Sequence, residues 1–87
     1  MNGASADTKQ NRLAIYVALH CDGCRYAHEV ADGIRRRYPD VIIEMIDIEA
    51  APDAIPDEVF ATPTYMLDGR IWSLGNPSED KIRDAFG

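Results

Sequence analysis

The chain's two cysteines, Cys21 and Cys24, stand three residues apart in the stretch L-H-C-D-G-C-R. Thiols at this spacing suit a dithiol-disulfide couple, half of a soft-metal site, or two small core residues. An apolar run precedes the pair and a charged, helix-like pattern follows it. At a helix start the sulfur of Cys21 would lie among unpaired backbone N–H groups at the positive end of the dipole, which stabilises a thiolate. Cys24, on the next turn, would be the more enclosed. The spacing therefore makes Cys21 the candidate attacking thiol and Cys24 the candidate resolving thiol, and lets the two sulfurs close into a disulfide. Their neighbours Asp22, Gly23 and His20 are the residues placed to modulate them. The Asp22 carboxylate competes for the dipole and repels a thiolate on Cys21, which makes the thiol less acidic and the couple a reductant rather than a strong oxidant. A protonated His20 would pull the other way.

The elements that must hold this pair follow from periodicity. Leu13, Ile15, Val17 and Leu19 alternate with Ala14, Tyr16 and Ala18, apolar on both faces, as in a central strand. From Cys21 the period changes, with Ala27, Val30, Ala31, Ile34 and Tyr38 on one stripe and Arg25, Glu29, Asp32 and Arg36 opposite. Asp22 in the first turn and Arg35, Arg36 and Arg37 in the last suit the macrodipole, and Pro39 ends the helix. Residues 41–48, VIIEMIDI, read as an outer strand, giving a βαβ unit with parallel strands. Residues 50–61 carry Pro52 and Pro56 and predict at most a helical turn around Asp57 to Phe60. Two short strands then meet about Asp68-Gly69, a hairpin dipeptide. Asn76, Pro77 and Glu79 read as N-cap, N1 and N3 of a last helix with Ile82, Ala85 and Phe86 on its stripe.

Composition bounds the rest. A chain of 87 residues forms one domain, residues 12–87, burying only about 60–65% of its unfolded surface. No apolar run approaches the roughly 20 residues that span a bilayer, and residues 1–11 read as a flexible N-terminal tail with no signal-peptide core. These readings set the expectation of a cytoplasmic, soluble chain, where paired thiols serve catalysis or metal binding rather than structure. The net charge is −6 at pH 7, and Asp40, Glu44, Asp47, Glu49, Asp53, Asp57, Glu58 and Asp68 follow one another with no Lys or Arg between Arg37 and Arg70. Nucleic acid and anionic membranes are thereby excluded as expected partners. The short 50–61 segment would cover one sheet face thinly, exposing Tyr16 or Tyr65 and giving an otherwise monomeric chain a motive for weak self-association.

From Leu13 onward the sequence resembles the thioredoxin and glutaredoxin superfamily, through ALHCDGC after an apolar strand, ATPTYMLDGR before the hairpin and the terminal NPSEDKIRDAF. The resemblance implies a minimal α/β thioredoxin-like fold: β-α-β, then β-β-α, with a four-stranded mixed sheet and flanking helices. It implies a thiol-disulfide oxidoreductase with Cys21 as nucleophile and Cys24 as resolving cysteine, needing no cofactor beyond its own redox-active disulfide. Pro63 matches the family's cis-proline, and Thr62 before it would pair with a bound substrate peptide. A cis X-Pro bond costs only about 0.5–1 kcal/mol. The expected partners are protein disulfides as substrates, with a reductase or glutathione as electron donor. Asp22-Gly23 replaces the Gly-Pro of thioredoxins and the Pro-Tyr of glutaredoxins, His20 stands where thioredoxins carry tryptophan, and Ile15 stands at their buried acid.

HCDGC also resembles the heavy-metal-associated domain of copper chaperones, where two thiolates hold Cu(I). That domain runs β-α-β-β-α-β, whereas this pattern ends on a helix. It carries a methionine before the pair, whereas Leu19 stands there here, and it has no use for Thr62-Pro63. A Cu(I) carrier, and a non-catalytic redox-sensing or interaction domain on the same fold, are the alternatives to dithiol chemistry.

Overall fold

The protein is described here by a computed structural model, which covers residues 11–50 and 52–87. The expected tail thus lies outside the described residues except for Asn11. In chain order the elements are β1 (Arg12–Val17), α1 (Asp22–Arg37), β2 (Ile42–Asp47), a 3-10 turn (Pro52–Ala54), β3 (Thr64–Leu67), β4 (Arg70–Leu74) and α2 (Glu79–Phe86). The sheet order is β2-β1-β3-β4, so β1 is central as its two apolar faces require. It pairs in parallel with β2, Ile15 opposite Met45, and antiparallel with β3, Ile15 opposite Tyr65. This is the expected mixed α/β sheet.

One sheet face carries the core. Leu13, Ile15 and Val17 of β1 meet Cys24, Ala27, Ala31 and Ile34 of α1, Tyr65 of β3 and Ile82 of α2. Burying a large aliphatic side chain such as Leu13, Ile15 or Ile34 stabilises a fold by about 1.5–3 kcal/mol. Trp72 packs edge-on to Tyr65 and Phe86, with ring centroids 6.0 and 5.5 Å away, and Phe86 lies 5.7 Å from Tyr38. This aromatic row ties β3, β4 and α2 to the end of α1. On the other face Ala14, Tyr16 and Met66 line a shallow depression with Glu44, Pro56 and Glu58. Tyr16 and Tyr65 are both buried, contrary to the expectation of exposure. The 55–61 segment reaches over the first, and the second points into the helix-covered core. Among the described residues the exposed large apolar side chains are instead Leu19, Tyr26, Phe60, Ile71 and Leu74.

Local chemistry explains where the boundaries fall. Asp68 and Gly69, with φ of +52° and +86°, make the β3-β4 hairpin, and Asp68 Oδ1 accepts from the Arg12 N–H at 2.9 Å. Two boundaries differ from the periodic reading. The helical turn lies at Pro52–Ala54, where Pro52 supplies a preset φ, while at Pro56 a turn closes through the Val59 N–H to the Pro56 carbonyl at 3.0 Å. The cap of α2 is Ser78, whose hydroxyl accepts from the Lys81 N–H at 3.1 Å, and not Asn76. Asn76 is engaged elsewhere.

Candidate redox site

The change from β1 to α1 brings the cysteines to the end of the sheet. Cys21 is the N-cap of α1 in an extended conformation, and its Sγ accepts from the Cys24 N–H at 3.2 Å. Asp22 follows in the first turn and is exposed, as is His20 before the cap. The two sulfurs are joined as a disulfide, with Cα atoms 5.2 Å apart. Their surroundings differ. Cys21 is half-buried, whereas Cys24 is 3% exposed, belongs to the core, and accepts at Sγ from the Ala18 N–H at 3.4 Å.

Pro63 lies against the turn that holds the pair. A Cβ at Gly23 would sit 3.2 Å from Pro63 Cδ, so glycine is what lets the two segments approach. The Thr62-Pro63 peptide bond is cis. The Pro63 carbonyl accepts from the Gly75 N–H at 2.9 Å, and Thr64 Oγ1 donates to the Ala61 carbonyl at 2.6 Å. Thr62, half-buried, leads into this segment beside the cysteines. On the other side of the pair runs an open groove of about 350 Å³, lined by Val17, Leu19, both cysteines, Met45 and the charged or titratable Arg25, His28 and Asp47.

Cys21, Cys24, Gly23 and Pro63, all singled out in the sequence, are thus brought into one cluster. Asp47 and Asn76 join it without having been read as site residues. Asp47 is placed by the parallel register opposite Val17, which a βαβ reading with counted strands could have found. Asn76 Nδ2 donates to the Gly23 carbonyl at 2.9 Å and its Oδ1 accepts from the Tyr65 hydroxyl at 2.7 Å. Its sequence signal pointed to a helix cap. Among the described residues no group of three or more His, Cys, Asp and Glu converges as a metal cage.

No protein-family model matches the sequence, and no curated protein does. Solved structures match it well. Mitochondrial thioredoxin 3 from Saccharomyces cerevisiae, in its oxidized form, superposes with a TM-score of 0.72 at 28% identity, over 88% of this chain and 80% of that one. A chain from a structural study of the thiol resolving mechanism in yeast mitochondrial 1-Cys peroxiredoxin via glutathione/thioredoxin systems gives 0.72 at 27% identity, with the same coverage. Fasciola hepatica thioredoxin, at 21% identity and a TM-score of 0.69 over 88% of this chain and 78% of that one, shows the shared fold. With this likeness and its cysteines paired at the head of α1, the chain fits the thioredoxin-like superfamily, as a small C-x-x-C member.

Proposed function

We propose that this protein is a thiol-disulfide oxidoreductase that reduces disulfides in protein substrates. The observation that carries the reading is the inequality of the two sulfurs: one half-exposed at a helix N-cap, the other buried behind it. In the reduced protein the Cys21 thiolate attacks a substrate disulfide, forming a mixed disulfide and releasing one substrate thiolate. Cys24, deprotonated, then attacks Cys21 Sγ, releasing the second substrate thiol and closing the Cys21–Cys24 disulfide. Two electrons pass to the substrate. The pair is its own redox group, and the reading calls for no further cofactor.

Thr62 would pair with a substrate segment laid along the Pro63 side of the cysteines, and Leu19, 75% exposed, offers apolar contact on the groove side. A reductase or glutathione would return the electrons, a choice supported by the likeness to a chain from a glutathione/thioredoxin study. A reducing couple belongs with a cytoplasmic setting, which is part of the proposal. No described helix is long and apolar enough to cross a membrane. Against Cu(I) carriage stands the Pro63 segment packed on the cysteine turn, for which a linear two-thiolate site has no use.

The test is kinetic. Dithiothreitol-driven reduction of insulin should run severalfold faster with the protein than without it, and Cys21→Ser should return it to the background rate. An unaccelerated rate, or one that Cys21→Ser leaves unchanged, sinks the reading.

A further inference from the structure

Asn76, in the turn between β4 and α2, has no part in the thiol chemistry above, yet it is hydrogen-bonded into the cysteine turn from 53 residues away. Its carboxamide orientation is set by its partners. The Gly23 carbonyl can only accept, so the nitrogen must face it, which leaves the oxygen for the Tyr65 hydroxyl. Tyr65 is fully buried and held edge-on against Trp72, so the far end of the chain is rigid. Gly23 also faces Pro63, whose Cδ would stand 3.2 Å from a Cβ added there. The peptide between the two cysteines is therefore tethered to β3 and to the β4-α2 turn, not only to its own helix. Cys24, just beyond the tether, is also held at its sulfur by the Ala18 N–H.

We propose that Asn76 is a positioning residue for the Cys21/Cys24 couple, holding the Gly23 carbonyl so that the Cys24 sulfur stays within reach of Cys21. The proposal rests on the dithiol-disulfide reading above. Closing the ring transfers two electrons and two protons from the two thiols to an external disulfide, whose S–S bond breaks as the Cys21–Cys24 bond forms. The equilibrium is governed by the effective concentration of one thiol at the other, and a tether that removes conformers in which they point apart raises it. Asn76 thus makes the couple more reducing and speeds the resolving step. Tyr65 acts through Asn76 by holding its amide in place.

The experiment is equilibration of the full chain with graded dithiothreitol or glutathione buffers, the dithiol fraction being read by alkylation. Asn76→Ala should lower the equilibrium constant for ring closure about tenfold, which is about 30 mV toward the oxidising side for a two-electron couple. Tyr65→Phe should shift it about threefold the same way, and the double variant no further than Asn76→Ala alone, because both act through one amide. A constant within twofold of wild type in Asn76→Ala, a shift toward the reducing side, or additive effects in the double variant would each overturn the proposal, whatever the melting temperatures do. If Asn76→Ala does not fold, Tyr65→Phe decides by the same measurement. A wild type that fails to reduce insulin speaks against the proposed function, whereas an unmoved potential in an active protein speaks against the role of Asn76 alone.

Discussion

The backbone N–H of Cys24 points at the sulfur of Cys21, 3.2 Å away, so the cap of α1 is itself the more exposed sulfur of the pair. A disulfide sulfur is a weak acceptor, but a thiolate in the same place gains a charge-assisted hydrogen bond and the positive end of the helix dipole. Reduction therefore leaves the charge where the helix can hold it. Among the described residues, Cys24, facing the core, has only the longer bond from Ala18.

Asp22 opposes this stabilisation from the first turn of α1. Asp22→Asn should make the Cys21 thiol more acidic. At pH 7 the gain in thiolate, partly offset by lower intrinsic nucleophilicity, should speed its alkylation by iodoacetamide about twofold. The couple should become less reducing at the same time. Slower alkylation in Asp22→Asn would contradict the electrostatic role given to this residue.

The two glycines of α1 should respond oppositely to alanine. At Gly33 an added Cβ meets nothing within 4 Å. Helix propensity then favours alanine by about 0.8–1 kcal/mol, raising the melting temperature by about 4–8 °C. At Gly23 the Cβ would stand 3.2 Å from Pro63 Cδ and 3.7 Å from Asn76 Nδ2. Overpacking costs of about 1–3 kcal/mol outweigh propensity there, so Gly23→Ala should melt lower and reduce insulin more slowly. Thermal melts of both variants in the dithiol form check the contrast.

Stability should fall at high pH. Burial pushes the Tyr65 hydroxyl well above its ordinary value of 10.0, with Tyr26 adding to it. Tyr16 is raised by burial first and then by the carboxylates of Glu44 and Glu58. Above pH 10 the unfolded chain releases protons that the folded one retains, so stability is full below that pH and declines through it. The slope is at most about 1.4 kcal/mol per pH unit for each tyrosine. Tyr65→Phe should be about 1 kcal/mol less stable at pH 8, having lost the bond to Asn76, and should then decline less steeply. Urea denaturation at intervals from pH 8 to 11 measures both slopes.

Periodicity located β1, α1, β2 and the stripe of α2, because each lays apolar side chains on a single core, and the Asp68-Gly69 dipeptide located the hairpin. Spacing located Cys21 and Cys24, since a cap and its third residue are neighbours through the helix itself. Asn76 departs from its local signal for the complementary reason. Asn-Pro looks like a cap and first turn, but Gly23 and Tyr65, far away in sequence, claim its amide, and the cap passes to Ser78. Likewise the short 50–61 segment predicts Tyr16 or Tyr65 exposed, but the chain that covers Tyr16 has no periodicity, and the partner of the Tyr65 hydroxyl is not local. What could not be read were the contacts that cross between elements.

The central claim is that Cys21 attacks and Cys24 resolves, and trapping tests it most directly. Cys24→Ser, reduced and mixed with insulin or a disulfide-containing peptide, should accumulate a mixed disulfide that mass spectrometry maps to Cys21, whereas wild type under the same conditions should show almost none. Failure of Cys24→Ser to trap any substrate through Cys21, or efficient trapping through Cys24 in a Cys21→Ser variant, would contradict it.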